Sequence, residues 1–266
     1  FQPRCNFISQ DKYHLINING CCDSVLFDIF YNAFVHLSRL EEWEFEKNGG
    51  RIHSYSFNHP RKETSIWKTP VVNYLFNELE KRLLKKFTDL QFGERSRPII
   101  EFSHDVDYIE KTIQLRIKKT SFDIFSALRH MCEVGFRKSC YKFVEGVKFC
   151  CKDSDYWCFD SWNELEKSLE IRSVYYFFVS SEKKAGSALK RWLLDPSYNI
   201  SRNGRLIDQC KGLLLKSNKL GLHGSYYSAF HESLFRNEKE LLENLLNVVV
   251  VKTRQHWLNF SECITP

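Results

Sequence analysis

The stretch PIIEFSHDVD (residues 98–107) places a histidine and two aspartates directly after a short apolar run. The arrangement recurs along the chain, because apolar runs at 174–179, 220–222 and 248–251 also lead into polar or charged side chains. In barrels and open sheets of parallel strands, functional groups collect at the carboxyl ends of the strands. The recurrence therefore predicts a site at which acids, histidines and an arginine meet.

The amino-acid composition indicates what class of protein carries this site. The 266 residues are 43% hydrophobic and 15% aromatic, which is ample for a packed core. The net charge of +6 is modest, and the basic residues are scattered among acids, so nucleic-acid binding is not indicated. The segment Lys111–Lys119 is locally basic, and two interpretations stay open: a solvated helix face, or a surface that lies against an anionic partner.

Cysteine usage and hydropathy bear on the compartment. None of the ten cysteines forms a C-x-x-C spacing, and the pairs Cys21-Cys22 and Cys150-Cys151 are adjacent in sequence. This usage indicates reduced thiols in a cytoplasmic protein. We expect neither secretion nor a transmembrane segment, because there is no leader-like N-terminus and no apolar run of about 18 residues. The chain begins with Phe1 rather than Met, so further sequence before it stays an open possibility.

Two domains are predicted. Residues 1–95 indicate a small mixed α/β N-terminal accessory domain, with helices over Asp23–Trp43 and Val71–Phe87. The linker Gly93–Pro98 interrupts the pattern with glycine and proline. Residues 96–266 then form the second domain.

Strands and helices alternate in the second domain. Ser161 and Glu164 resemble a capping box that opens one helix, and further helices are predicted over 204–218 and 231–247. Alternation of this kind implies right-handed crossovers. The fold class is therefore α/β, with a parallel sheet or barrel.

Asp105 and Asp107 are the first candidate site residues. Two carboxylates this close resist double ionisation unless a cation lies between them or one of them acts as a base. A metal together with a general base is what hydrolysis of an amide or ester requires. The alternatives are a solvated turn and the similar aspartate pair of phosphatases that use an aspartyl nucleophile.

His223 and Arg254 follow later apolar runs. His223 precedes a small glycine and serine, which leaves room for a ligand beside the imidazole; the alternative is a hydrogen-bonded core histidine. Tyr227 stands four residues on, so a helical i, i+4 metal pair is absent, and His231 becomes a third ligand only if the turn bends back. Arg254 suits a carboxylate or a developing oxyanion, or else it is a surface cation.

Taken in order, six motifs resemble the polysaccharide deacetylases of carbohydrate esterase family 4, the NodB-homology group. The resemblance is closest to a bacterial branch found among surface-polysaccharide biosynthesis proteins, which has its own N-terminal domain. The motifs are LSRLEE (37–42) with Gly50-Arg51, SHDVDY (103–108), DYWCFD (155–160), YYFF (175–178), GLHGSY (221–226) and RQHWL (254–258).

The resemblance implies an incomplete, distorted (β/α) barrel with one divalent metal, expected to be zinc. Its partner is an N-acetylated saccharide or polysaccharide intermediate from which an acetyl group is removed. Carried over residue by residue, Asp105 is the general base, Asp107 and His223 bind the metal, and Arg254 orients the base. The family places its two aspartates side by side, so the roles of Asp105 and Asp107 could be exchanged.

Two departures from the family pattern matter. Tyr227 occupies the place of the family's second histidine, so a third metal ligand has to come from His104, His231 or His256. The family's later strands and its leucine-x-histidine general acid should follow Arg254, but only residues 255–266 remain. We therefore expect a fragment or a decayed copy with an open sheet edge, and little or no activity from these residues alone.

Three functions stay open. The first is a metal-dependent carbohydrate N-deacetylase. The second is a magnesium-dependent phosphatase with Asp105 as nucleophile, which Tyr108 disfavours because that class usually has small residues there. The third is a non-catalytic or degenerate sugar-binding or scaffold protein. The sequence does not predict an oligomeric state.

Overall fold

A computed structural model describes residues 6–10, 13–17, 29–52, 70–94, 96–134 and 136–265. The chain divides into two compact units. One unit comprises Phe1–Pro98 with Phe260–Cys263, and the other comprises Ile99–Asn259 with Ile264–Pro266. Each unit contains its own cluster of buried apolar side chains.

Among its described residues, the first unit contains a two-stranded sheet and three helices. Strands β1 (Asn6–Gln10) and β2 (Tyr13–Asn17) pair antiparallel. The helices are α1 (Ile29–Leu37), α2 (Leu40–Lys47) and α3 (Val71–Lys86).

The core of the first unit lies between α1 and α3. Ile29 and Ala33 of α1 are buried with Val71 and Leu75 of α3. Their spacing along each helix is the three-to-four repeat of a single face. The helix predicted over residues 71–87 is thus present as Val71–Lys86, and its N-terminal half supplies the buried side chains.

The helix predicted over Asp23–Trp43 is divided where the structure describes it. Arg39 adopts a left-handed backbone (φ 52°) between α1 and α2, and the Ser38 hydroxyl donates to the Phe34 carbonyl at 2.7 Å. A left-handed residue cannot continue a right-handed helix, so the chain restarts at Leu40. Residues 23–28 lie outside the described residues.

Four parallel strands form the sheet of the second unit. They are β3 (Phe102–Val106), β4 (Ser173–Phe177), β5 (Lys219–Gly224) and β6 (Thr253–Gln255), and they pair in that order. The sheet forms a half-barrel with helices around it. The predicted α/β class with a parallel sheet is confirmed at this level.

Helices occupy every crossover between the strands. The helices of the second unit are α4 (Ile113–Val134), α5 (Phe136–Cys151), α6 (Phe159–Ser168), α7 (Ala188–Leu194), α8 (Gly204–Leu215) and α9 (Glu232–Leu246). The first crossover carries α4 to α6, the second carries α7 and α8, and the third carries α9. Parallel neighbours require such long connections because a tight turn can join only antiparallel strands.

The helix predicted to begin at Ser161 begins earlier. α6 starts at Phe159, and Cys158 stands at its N-cap, so Ser161 lies inside the first turn and the capping-box prediction is wrong. The Asp155 carboxylate instead accepts a hydrogen bond from the Trp157 backbone N–H at 2.8 Å just before the helix. An aspartate side chain that accepts a hydrogen bond from the backbone two residues on forms a turn, and this turn changes the direction of the chain before α6.

The helix-facing side of the sheet carries the larger core. Phe177 of β4 and Leu222 of β5 are fully buried against Leu206, Leu213 and Leu242 of the surrounding helices. Apolar side chains at alternate strand positions supply this face. The opposite face is therefore available for polar groups.

The strands at both edges of the sheet begin later than their apolar runs. Ile99 and Ile100 are 95% and 76% exposed and precede β3, while Val249 and Val251 are 78% and 80% exposed and precede β6. Pairing with β4 starts only at Phe102. An apolar run therefore marks the approach to an edge strand here rather than the strand itself.

Two further expectations can be compared with the structure. Within the described residues, no helix combines the length and the apolar character needed to cross a membrane. The adjacent Cys150 and Cys151 are both free thiols, as the sequence predicts. The compartment stays a prediction.

Leu222 and Leu215 form a matched pair for testing the core. Leu222→Ala should lower the free energy of unfolding by about 2–5 kcal/mol, because it leaves a cavity under β5 where the side chain is 0% exposed. Leu215→Ala, at a side chain that is 88% exposed, should change it by less than about 0.5 kcal/mol. Urea denaturation measures both values, and equal losses would contradict the assigned core.

Candidate metal centre

Strand register places the polar residues on one side of the sheet. Asp105 pairs with Tyr176, Tyr176 with Gly221, and His223 with Arg254. Laterally paired residues of a parallel sheet point to the same face, and so do residues two apart along one strand. The carboxylates, His223 and Arg254 therefore share the face opposite the large core.

Asp107, His223 and His256 converge at the carboxyl ends of the strands. His223 Nε2 lies 3.0 Å from Asp107 Oδ1 and 2.8 Å from His256 Nδ1, and the third side, from His256 Nδ1 to Asp107 Oδ1, is 3.2 Å. The contact between Asp107 and His223 spans β4, which lies between their strands. Two interstrand spacings amount to about 9.6 Å, a distance that an aspartate and a histidine reaching toward each other can bridge.

The other ring nitrogens show how the imidazoles are oriented. His223 Nδ1 lies 3.0 Å from the Arg254 carbonyl, and His256 Nε2 lies 2.6 Å from the Leu194 carbonyl. A carbonyl only accepts hydrogen bonds, so in neutral rings these nitrogens carry the protons; the tautomers are assigned from these partners. The remaining nitrogens then face Asp107 and one another, and either a metal ion or a proton on one of the rings has to lie between the three atoms.

Electrostatics keep Asp107 ionised. Burial acts to raise the pKa of Asp107, but contacts with His223 and His256 outweigh it and hold the pKa well below its usual value. The Asp107 side chain is still 38% exposed, whereas the imidazoles of His223 and His256 are nearly buried. The carboxylate thus stands at the solvent side of two fixed imidazoles.

The size of the group suits a small divalent ion. Ligands at about 2.0–2.1 Å from a tetrahedral zinc are about 3.3 Å apart, so the three atoms need to separate by only a few tenths of an ångström. A cavity of about 200 Å³ lies beside them. Its walls include Asp105, Tyr108 and Trp257. The described residues therefore fit a metal with an accessible remaining position.

Asp105 lies in the same cavity and is held by Arg254. Arg254 Nη1 donates to Asp105 Oδ1 at 2.9 Å, and Nη2 donates to the Ser103 hydroxyl at 2.8 Å. The guanidinium lies over the Tyr176 ring, 4.7 Å from its centroid. A Cβ at position 221 would lie 2.5 Å from the Tyr176 ring, so a glycine is needed there to leave room for the ring.

Two other histidines that were candidates for the third ligand lie elsewhere. His231 stands at the N-cap of α9 and does not belong to the converging group. His104 contacts Glu166 at 2.8 Å and packs on Tyr175, on the helix-facing side of the sheet. His104 and Asp105 are adjacent in β3, and the alternation of a strand sends their side chains to opposite faces.

Sequence reasoning missed the groups that support the site. Leu194 O fixes His256, yet nothing in the sequence links residue 194 to the strand ends. Trp257 follows with a left-handed backbone (φ 62°), unusual for a bulky residue, and its indole N–H also donates to Leu194 O at 3.0 Å. Gly221 did carry a signal, because an isolated glycine in an apolar strand indicates a close approach.

Two buried acids brace the loop that follows His223. Glu238 Oε2 accepts from Ser225 N at 3.1 Å, and Asp195 Oδ1 accepts from Tyr226 N at 2.8 Å. Burial raises the pKa of Glu238 from 4.5 to about 7, and it also raises the pKa of Asp195. These acids hold the backbone just beyond His223.

Glu238 predicts a pH dependence of stability. Its folded-state pKa is raised, so between pH 4.5 and about 7 the unfolded chain loses this proton while the folded chain keeps it. Stability of the wild type should therefore fall relative to Glu238→Gln by about 2–3 kcal/mol as the pH rises through this window. Urea denaturation at both ends of the window measures the difference, and a constant difference would disprove it.

The converging group predicts zinc binding. Wild-type protein should bind about one Zn²⁺ per chain, and His223→Ala should weaken binding by on the order of 100-fold or more, because two protein ligands remain. His231→Ala is the matched control and should bind like the wild type. Competition with a chromophoric chelator gives the affinities, and equal affinity of wild type and His223→Ala would show that the group is not the zinc site.

Comparisons with known proteins add no identification: no family model, no curated protein and no solved structure matches the chain. The resemblance to polysaccharide deacetylases therefore depends on the ordered motifs. The geometry around Asp107 is an independent observation about the same residues.

Proposed function

We propose that this chain is a metal-dependent hydrolase of the polysaccharide deacetylase type, which removes N-acetyl groups from a saccharide. The observation that carries the proposal is the convergence of Asp107, His223 and His256 beside the Asp105–Arg254 pair. A three-ligand metal position and an oriented carboxylate in one cavity are what metal-assisted amide hydrolysis requires. The motif order predicts the same roles for four of these five residues.

The donor set favours zinc. Two imidazole nitrogens and one carboxylate oxygen are typical of catalytic zinc sites, which keep a further position open. Magnesium prefers octahedral oxygen ligands and retains most of its waters, so two imidazoles suit it poorly. This preference also argues against the magnesium-dependent phosphatase with Asp105 as its nucleophile.

The contacts support separate roles for the two aspartates. Asp107 contacts both imidazoles, whereas Asp105 contacts the guanidinium of Arg254. A zinc ion, when bound, supplies polarisation of the acetyl carbonyl and a lowered pKa for water. Asp105 is placed to accept the proton of the attacking water, and Arg254 holds that carboxylate in position as a positioning residue.

The cavity walls suit a sugar. Tyr108, Trp257 and Leu258 line the space next to Asp105. Aromatic rings offer an apolar face to the C–H groups of a pyranose, while their polar edges reach its hydroxyls. An N-acetylated saccharide is therefore the substrate class that we assign to this site.

Acetate release from an N-acetylglucosamine oligomer tests the proposal. The sequence predicts little or no activity from these residues alone, whereas the converging group leads us to expect slow, zinc-dependent release. Asp105→Asn should reduce the rate by about 10²–10⁴-fold with zinc affinity unchanged, because the variant lacks only the base. Asp208→Asn, at an exposed position on α8, is the matched control and should keep the wild-type rate.

Each other outcome points to one of the remaining functions. Zinc and oligomer binding without acetate release would favour the non-catalytic sugar-binding protein. Magnesium-dependent hydrolysis of p-nitrophenyl phosphate that Asp105→Asn abolishes would favour the phosphatase. Either result would overturn the deacetylase proposal.

A further inference from the structure

Positive charge is concentrated in one segment outside the metal centre. Residues 111–152 contain ten lysines and arginines and three acids, a net charge of +7. The whole chain has a net charge of +6, so the remainder is close to neutral at −1. This segment comprises α4 and α5 with their flanking residues.

α4 and α5 form an antiparallel helical hairpin. Thr120 Oγ donates to the Gly146 carbonyl at 3.1 Å, and Lys142 Nζ donates to Ser126 Oγ at 3.3 Å. A Cβ at Gly146 would lie 3.0 Å from the Asp123 Cβ, so the glycine permits the close approach of the two helices. The hairpin is thus a defined surface rather than two separate helices.

The hairpin exposes many large apolar side chains. They recur at spacings of three to five residues on α4 and one to five residues on α5, and packing would normally bury side chains of this kind. On α4 they are Ile113, Ile117, Phe122, Phe125 and Leu128, which are 46–76% exposed, and on α5 they are Phe136, Tyr141, Phe143, Val144 and Val147, which are 42–72% exposed.

Basic side chains lie among these apolar ones. Lys119 on α4 and Arg137, Lys142 and Lys148 on α5 are all exposed. A helix that combines an apolar face with lysines and arginines matches the interfacial layer of a membrane, where acyl chains lie just below phosphate groups. The sequence left Lys111–Lys119 open between a solvated face and an anionic partner, and the exposed apolar side chains favour the partner.

We propose that the hairpin of α4 and α5 binds the surface of an anionic lipid bilayer. Its aromatic and aliphatic side chains enter the interfacial layer, and its lysines and arginines contact the phosphate groups of the lipids. This inference is independent of the deacetylase proposal, because it uses none of the residues of the metal centre.

Charge argues for a lipid surface over a second copy of the chain. Two hairpins packed about a twofold axis would bring a net charge of +7 against another +7, and the like charges would repel. A bilayer with anionic lipids attracts the same charges. A nucleic acid would also attract them, but it offers no apolar layer for Ile113, Leu128 or Val147.

Co-sedimentation of the full chain with vesicles tests the proposal. The protein should bind phosphatidylcholine vesicles that contain about 30 mol % phosphatidylserine at least about 10-fold more tightly than pure phosphatidylcholine vesicles. Raising the salt from about 0.1 M to about 0.5 M should weaken binding to the anionic vesicles.

Two double variants separate the apolar contribution from the electrostatic one. Phe122→Ser with Phe125→Ser, and Arg137→Glu with Lys148→Glu, should each reduce binding by about 10-fold or more. Their matched controls lie off the hairpin: Leu215→Ser with Val249→Ser, and Lys211→Glu with Lys216→Glu, should bind like the wild type. Circular dichroism establishes that each variant is folded.

Specific results would overturn the proposal. These are equal binding by the hairpin variants and their controls, or no preference for anionic vesicles. Sedimentation equilibrium provides a further test, because a dimer that dissociates on Phe122→Ser with Phe125→Ser would assign the surface to a second copy of the chain.

Discussion

The in-register pairing of four parallel strands is the constraint on which the candidate site depends. It sends Asp105, His223 and Arg254 to one face and His104 to the other, although His104 and Asp105 are neighbours in sequence. A slip of one residue in β3 would exchange those two side chains between faces. Buried apolar residues such as Phe177 hold the register, so the packing of the core also determines which side chains reach the site.

Main-chain carbonyls determine the chemistry of the two imidazoles. Arg254 O and Leu194 O each occupy one ring nitrogen, which leaves the other nitrogens of His223 and His256 for a cation. Asp107 completes a group whose lone pairs converge. The fold thus supplies orientation through backbone atoms and ligands through side chains.

The sequence predicted the parallel α/β sheet and the proximity of Asp107 and His223, because strand ends and motif order carry that information. The bounds of β3 were less predictable, since Ile99 and Ile100 have strand-like character but precede the paired segment. The choice of His256 over His231 depends on a turn after β6 and on a carbonyl more than sixty residues away in the chain. Such long-range contacts leave no pattern in the local sequence from which they could be predicted.

Arg254 carries two duties on different atoms: its carbonyl orients His223, and its guanidinium positions Asp105. Every amino acid has a carbonyl, so a replacement at this position that preserves the backbone would keep His223 oriented and leave Asp105 without its guanidinium partner. Under the proposed function, a single codon change could then uncouple metal retention from turnover. Evolution would thereby have a short route from such a hydrolase to a metal-loaded binding protein.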